Sequence, residues 1–406
     1  MSDAAYELFV RQQADRGIDV DHVKERIKKL KVETPSWGYG DSGTRFKVFQ
    51  QVGVPRTPLE KLDDAAQVQR LTGMCPSVAL HIPWDHTDDY EQLRSHAEAL
   101  GLTLGAINPN LFQDDDYIFG SLCNSQPAIR HKACQHILEC IDVARKVGSS
   151  TISLWLADGS NYPGQQSIRQ RKRWLQESLE TVYQALDPHM LLLIEYKFFE
   201  PAFYHTDLGD WGMAFNVAQK LGPQAQVLVD TGHHAQGTNV EQIVAYLLDE
   251  KKLGGFHFNS RKYADDDLIV GAINPYELFL IFYQIIDASV DEDAGVRATA
   301  ERINYMIDQS HCIEPKIPAM IRSVLNVQTQ YAKALLISLD QVGQAQEKQD
   351  VLAAEQSVRE AFECDVTPLL RVVREEMGVS VDPMRDYLSS GYAESIRARG
   401  KGGASW

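Results

Sequence analysis

Three short runs decide the fold: LLLIEYK from Leu191 to Lys197, VLVDTGHH from Val227 to His234, and GFHFN from Gly255 to Asn259. Each is an apolar stretch of strand length that ends on polar or ionisable residues, and longer amphipathic segments separate them. Read outward, the same alternation gives eight candidate strands. These run from Val32 to Tyr39, Ser77 to Trp84, Thr103 to Asn108, Thr151 to Trp155, Leu191 to Tyr196, Val227 to Asp230, Gly255 to Asn259 and Ile303 to Asp308. Helical spacing fills the intervals, for example Ile129 to Val147, Gln166 to Leu186, Asp210 to Leu221, Val240 to Asp249 and Pro275 to Ala288. The pattern predicts an α/β protein, a (β/α)8 TIM barrel. An open doubly wound sheet ranks second, because no G-x-G-x-x-G follows a strand.

Helical periodicity flanks the barrel. Residues 1–31 read as an N-terminal helical extension, 32–325 as the barrel, and 326–406 as a C-terminal helical extension with a loose Gly-rich tail from Arg399. The stripe Leu335, Leu336, Leu339 and Val342 needs a surface to bury it, either the chain's own barrel or a neighbouring subunit, so a homo-oligomer is expected. Among 406 residues, 44% are hydrophobic and 24% charged, enough for a large core. A net charge of -16 opposes a phosphate backbone, and the basic cluster from Lys24 to Lys31 reads as a solvated helix face, so no nucleic acid is expected. The six cysteines are scattered without a C-x-x-C, the start lacks a signal-peptide core, and no apolar run approaches the roughly 20 residues of a membrane span. Cytoplasm is the expected compartment, with no membrane partner.

Glu195, Asp230, His257 and Asp308 stand at or near the ends of four successive candidate strands. In a barrel those ends converge, and active sites are built there. Singly, each reads more naturally as a paired acid or a core histidine. Together, carboxylates at one mouth would repel unless a cation neutralised them, and their oxygen and nitrogen donors suit Mn²⁺, Co²⁺, Mg²⁺ or Zn²⁺. A second group, His233 in DTGHH with Asp265 and Asp267 in the ADDD run, could hold a second ion. The bland reading, a solvated acidic loop and a surface histidine pair, weighs about equally. Lys197, two residues past Glu195, would face the same way, to polarise a substrate oxygen or balance charge. Trp37, Phe112 and Trp155 offer flat faces for the C–H groups of a sugar, and His81 a hydrogen bond to a hydroxyl or ring oxygen; packing around the rim is the bland reading of these and of Asn108, and it is preferred for Trp84.

The segments IEYKFFEPAFYHTD, VDTGHH, FHFNSRKYADDD and MIDQSH resemble the L-rhamnose isomerase family across the whole barrel. The resemblance implies two divalent ions, Mn²⁺ foremost. Glu195, Asp230, His257 and Asp308 would ligate a structural ion, and His233, Asp265 and Asp267 a catalytic one. It implies interconversion of L-rhamnose and L-rhamnulose, with L-mannose or D-allose accepted by some relatives, and a homotetramer in which Phe46, within TRFKVF, reaches a neighbour's pocket. Phe198, where many relatives have proline, and Cys312, where asparagine is commoner, depart from the family and bear on substrate preference. Lys197, His233, Asp265 and Asp267 are the expected catalytic residues, with Asp265 or Asp267 beside the proton that moves between oxygens. The absence of an obvious carbon base leans toward a hydride shift. The rivals are a sugar epimerase or another metal-dependent sugar isomerase and, outside enzymes, a metal or sugar sensor; a metal-dependent nuclease or phosphatase is disfavoured by charge.

Overall fold

Alternating side chains on single strands set the architecture. Phe256 and Phe258 face the surrounding helices, Phe258 meeting Phe282 at 5.6 Å, while His257 between them points to the barrel axis and approaches Glu195 and Asp308. The computed structural model describes residues 2–41, 48–200, 204–309 and 313–402. Among these, the strands are β1 Glu33–Pro35, β2 Ser77–Ile82, β3 Thr103–Pro109, β4 Thr151–Trp155, β5 Leu191–Glu195, β6 Phe199–Glu200, β7 Tyr204–His205, β8 Ala225–Asp230, β9 Leu253–Phe258 and β10 Asn304–Ile307. Eight close a barrel in the order β1-β10-β9-β8-β5-β4-β3-β2, with every pair parallel. The expected barrel is therefore present, and β6 with β7 adds a small antiparallel ribbon beyond β5.

Two strands are shorter than their apolar runs suggest, and proline is the reason. Pro35 has no N–H to extend β1, so the chain turns into the 3-10 helix Ser36–Tyr39, which carries Trp37; β2 likewise stops before Pro83. The opening also divides into two helices, Ser2–Asp15 and Val20–Lys29, around Gly17 at φ 75°. The basic cluster is partly neutralised within the chain, since Lys24 and Lys28 both pair with Glu376.

Register aligns the residues that matter. Trp155 lies beside Glu195 and Asp230 beside His257, all at the C-terminal ends. Below them the interior narrows to Ala79, Ala106 and Met306, with Trp37 against that cluster. At the opposite end of β1, Glu33 is buried, accepting from Ser77 Oγ at 2.5 Å and from the Ala106 N–H at 3.1 Å; burial pushes its carboxyl up. A Cβ on Gly105 would land 1.5 Å from Glu33 Oε2, so this position has no room for a side chain.

The helix Lys316–Ala334 packs against the helices Pro275–Ala288 and Pro58–Thr72. Leu335, Leu336 and Val342 are buried in the chain's own core, with Leu339 packed against it, so the chain itself covers the apolar stripe. The chain through Gly402 is tied down: Arg399 pairs with buried Asp64 at 2.9 Å, and the Gly53 N–H donates to Gly400 O at 2.7 Å. No helix among the described residues is long and apolar enough to cross a membrane.

Candidate active site

The isolated charges that end the apolar strands meet on the barrel axis. Glu195 Oε2 and His257 Nδ1 lie 3.2 Å apart, and His257 Nδ1 lies 3.3 Å from Asp308 Oδ2 and 4.0 Å from Asp230 Oδ2. Glu195 Oε1 is 3.2 Å from His233 Nδ1. Two sets of donor atoms, Glu195 with Asp230 and His233, and Asp230 with His257 and Asp308, each fall within 4.8 Å and share Asp230. Glu195 Oε2 and His257 Nδ1 are buried without a hydrogen bond of acceptable angle, although they face each other. Two buried polar atoms that approach without bonding fit ligands around one cation.

The electrostatics agree with that fit. Burial pushes the Asp230 carboxyl up to about 7, with Glu195 and Asp308 adding to the rise. Burial would push Glu195 the same way, yet His257 and His233 outweigh it and hold it down at about 2. Burial would strip both imidazoles of protons; Asp230 and Asp265 overcome this at His233, and Glu195 and Asp308 at His257, so both are held well above the usual imidazole range. In the metal-free chain the two imidazolium rings thus stand in for cations among the carboxylates. Mixed oxygen and nitrogen donors suit a divalent ion such as Mn²⁺, Mg²⁺, Co²⁺ or Zn²⁺.

His233 stands between both proposed ligand groups. Its Nδ1 faces the Tyr196 carbonyl at 3.0 Å, so that nitrogen carries a proton, while Nε2 faces Asp265 Oδ1 at 3.0 Å. The adjacent His234 is buried as well, and Tyr196 Oη lies 2.6 Å from its Nε2, so neither histidine is at the surface. The ADDD loop divides its labour. Asp266 accepts from the backbone N–H groups of Lys262 and Tyr263 and braces the turn. Asp265 and Asp267 both occupy the left-handed region, at φ 52° and 45°, which turns their carboxylates back toward the site. Burial, with Asp265, Asp308 and Asp230 close by, drives the Asp267 carboxyl far up. Lys197 is committed to pairs, 2.5 Å from Asp265 Oδ2 and 2.6 Å from Glu200 Oε2.

Opposite the charges runs an aromatic wall. His81 stacks on Trp84 at 3.6 Å and meets Trp37 and Phe112 edge to face; Phe112 in turn meets Trp155 at 4.5 Å. Both ends of the wall join the charged cluster: Trp37 Nε1 donates to Asp308 at 2.9 Å, and Lys197 Nζ lies 4.9 Å over the Trp155 ring. His81 Nδ1 and Trp155 Nε1 are buried without partners. Burial and the Lys61 ammonium keep His81 neutral, far below its usual range. Asn108 instead turns to the backbone, donating to Leu80 O at 3.1 Å. Phe46 and Cys312 lie outside the described residues.

Sequence reasoning passes over Asn259. Its Nδ2 donates to Asp230 Oδ1 at 2.9 Å and Oδ2 at 3.2 Å, and the Gly232 N–H adds a third bond at 2.6 Å. A Cβ on Gly232 would sit 2.5 Å from Asn259 Oδ1, which explains the glycine.

Comparison with known proteins then places the chain. The model of the xylose isomerase-like TIM barrel family matches residues 68–278. The chain belongs to that family. It is 42% identical over 97% of its length to a probable sugar isomerase of Rhizobium meliloti, covering 91% of that protein. It is 40% identical over 94% of its length to a probable sugar isomerase of Mesorhizobium japonicum, covering 89% of it. At the coarse level, this family membership makes the chain a sugar isomerase or epimerase. Among solved structures, an L-ribulose 3-epimerase superposes with a TM-score of 0.54 at 13% identity, over 76% of this chain and 98% of that one. A 3-keto-D-glucoside 4-epimerase from E. coli gives 0.52 at 14% identity, over 74% and 99%. At such identities the xylose isomerase-like fold is what is shared.

Proposed function

We propose that the chain is a metal-dependent aldose-ketose isomerase that interconverts L-rhamnose and L-rhamnulose, with D-allose and L-mannose as further candidate substrates. The observation that carries this reading is the closure of a ring around the barrel mouth: carboxylates and imidazoles on one side, an aromatic wall on the other, joined by Trp37 to Asp308 and by Lys197 over Trp155. The net charge of -16 disfavours a polyanionic nucleic-acid substrate. The motifs shared with the L-rhamnose isomerase family support the substrate.

Glu195, Asp230, His257 and Asp308 would hold one ion and His233, Asp265 and Asp267 another, with Mn²⁺ the first candidate. Divalent ions there supply Lewis-acid polarisation of neighbouring sugar oxygens. The chain's own residues do the rest. Phe112 and Trp155 present flat faces to the C–H groups of an open-chain sugar and exclude water from them. The unpartnered His81 Nδ1 and Trp155 Nε1 are placed to hydrogen-bond sugar hydroxyls. Lys197 stays charged, because Asp265 and Glu200 outweigh burial, and fixes the Asp265 carboxylate in one orientation. Asp265 or Asp267, on the loop that follows β9, would stand beside the proton that passes between adjacent oxygens.

We also propose a homo-oligomer. Exposed Ile118, Tyr263 and Ile313, on loops that follow β3, β9 and β10, support contact around the mouth; a monomeric mass in analytical ultracentrifugation overturns it.

The test is ketose formation from L-rhamnose, D-allose and L-mannose by EDTA-stripped protein before and after Mn²⁺. Metal-restored ketose supports the isomerase, and product identification distinguishes it from an epimerase. No ketose from any of the three by folded, metal-loaded protein refutes the substrate assignment.

A further inference from the structure

Lys197 lies beyond the end of β5, in the link to β6, so something outside the barrel has to hold it in place. Its N–H donates to Leu208 O at 3.0 Å, and its carbonyl accepts from Thr206 Oγ1. The strip from 206 to 208 is thus the seat of Lys197, and it leads to Arg171. This side chain, on the first turn of the helix Ile168–Gln184, is 1% exposed. Its Nε reaches both Asp207 oxygens at 3.1 and 3.2 Å, its Nη2 reaches Oδ2 at 2.8 Å, and its Nη1 donates to Phe119 O at 2.8 Å.

A second buried acid closes the frame. The Asp207 N–H donates to Asp158 O at 2.8 Å, and the Asp158 side chain gathers the Ser121 N–H at 2.7 Å and Cys123 Sγ at 2.9 Å. Gly120 leaves the space, since a Cβ there would lie 2.6 Å from Cys123 Sγ and 3.1 Å from Arg171 Nη2. Arg171 therefore holds the loops after β3 and β5 through Phe119 and Asp207 and the loop after β4 through Gln166 Oε1, and none of these partners is a proposed ligand. A buried, forked ion pair of this kind is weak evidence for stability, because its desolvation offsets its attraction; fixing one geometry is what it does well.

We propose that Arg171 and Asp207 are positioning residues for Lys197, acting through the 206–208 strip to set the ammonium against Asp265. The kinetic part of this rests on the isomerase reading above; the structural part does not. The experiment uses Asp207→Asn, with Arg171→Lys as the milder variant should the first not fold, each alone and with Lys197→Met. Expected in the metal-free protein is faster amide hydrogen exchange over 197–200 and 204–208 with the barrel strands still protected. In the Mn²⁺-loaded protein, kcat falls at least about tenfold with KM within about twofold, the scale of a misplaced catalytic-site group. In the Lys197→Met background the same substitution costs no further kcat, because both act through one ammonium. Unchanged exchange over 197–200 and 204–208, an unchanged kcat, or losses that add fully to those of Lys197→Met overturn the proposal. Wild-type protein that turns over none of the three sugars refutes the isomerase reading, and the exchange measurement then decides the clasp alone.

Discussion

Asn259→Leu tests the proposed metal centre without touching a proposed ligand. The native amide spans both oxygens of Asp230, at 2.9 and 3.2 Å, and leucine is close to it in shape while donating nothing. Hydrogen-bonding partners of metal ligands typically contribute tenfold to a hundredfold in affinity, or about 1.4 to 2.7 kcal/mol. The lower part of that range suits this site, because the Gly232 N–H at 2.6 Å still holds Oδ1. The substitution also removes a donor that favours the charged carboxylate, and burial already lifts that carboxyl to about 7. Its pKa therefore rises further, so the loss of affinity is larger at about pH 6 than at about pH 8. The assay is calorimetric titration of Mn²⁺ into EDTA-stripped protein at both pH values, with thermal melts of the metal-free forms as the folding control. Wild-type affinity at both values, in a variant that melts normally, would refute Asp230 as a ligand ordered by Asn259.

Three further outcomes follow from the same geometry. Because His233 and His257 are held protonated in the metal-free chain and ligation needs their bare nitrogens, Mn²⁺ binding releases protons and tightens as pH rises from about 6 to about 8. Calorimetry in buffers of different ionisation enthalpy reads this, and an affinity independent of pH with no proton release would contradict it. Phe112→Ala opens the middle of the aromatic wall, so KM for the sugar should rise about tenfold while kcat changes less than about threefold; a fall in kcat alone would mean the ring acts on the reacting carbons instead. Gly105→Ala forces the Glu33 carboxyl away from Ser77 and Ala106, costing about 2 kcal/mol or more in thermal or urea unfolding, and adding Glu33→Ala should restore part of it; equal stability of Gly105→Ala and wild type would show that the carboxyl has room to move.

The residues legible in the sequence are those that interrupt an apolar run with a charge. Glu195, Asp230 and His257 each end such a run, whereas Lys197 reaches the site although the strand stops at Glu195, held there by the 206–208 strip and not by strand alternation. Asn259 stands two residues past His257, but an amide brings no charge to signal it, and its role appears only once Asp230 is beside it. Glu33 begins its strand rather than ending it and sits at the far end of the barrel. Arg171 is hidden for a different reason: in RQRKRW it reads as one more solvated basic residue, and only the folding of three loops over it turns it into a buried fork. Strand ends drift where proline intervenes, as at Pro35 and Pro83, because apolar composition continues past the last available N–H.

The backbone at Asp265 and Asp267 also decides how this loop can be altered. Asparagine enters the left-handed region about as readily as aspartate, whereas alanine resists it. Replacing either aspartate by asparagine therefore removes a charge and keeps the turn, while alanine scanning would mix a lost carboxylate with a reshaped loop. Any effort to broaden the substrate range through this segment meets least strain with aspartate, asparagine or glycine at those two places, and its freedom lies in Tyr263 and Ala264, whose side chains carry no such backbone demand.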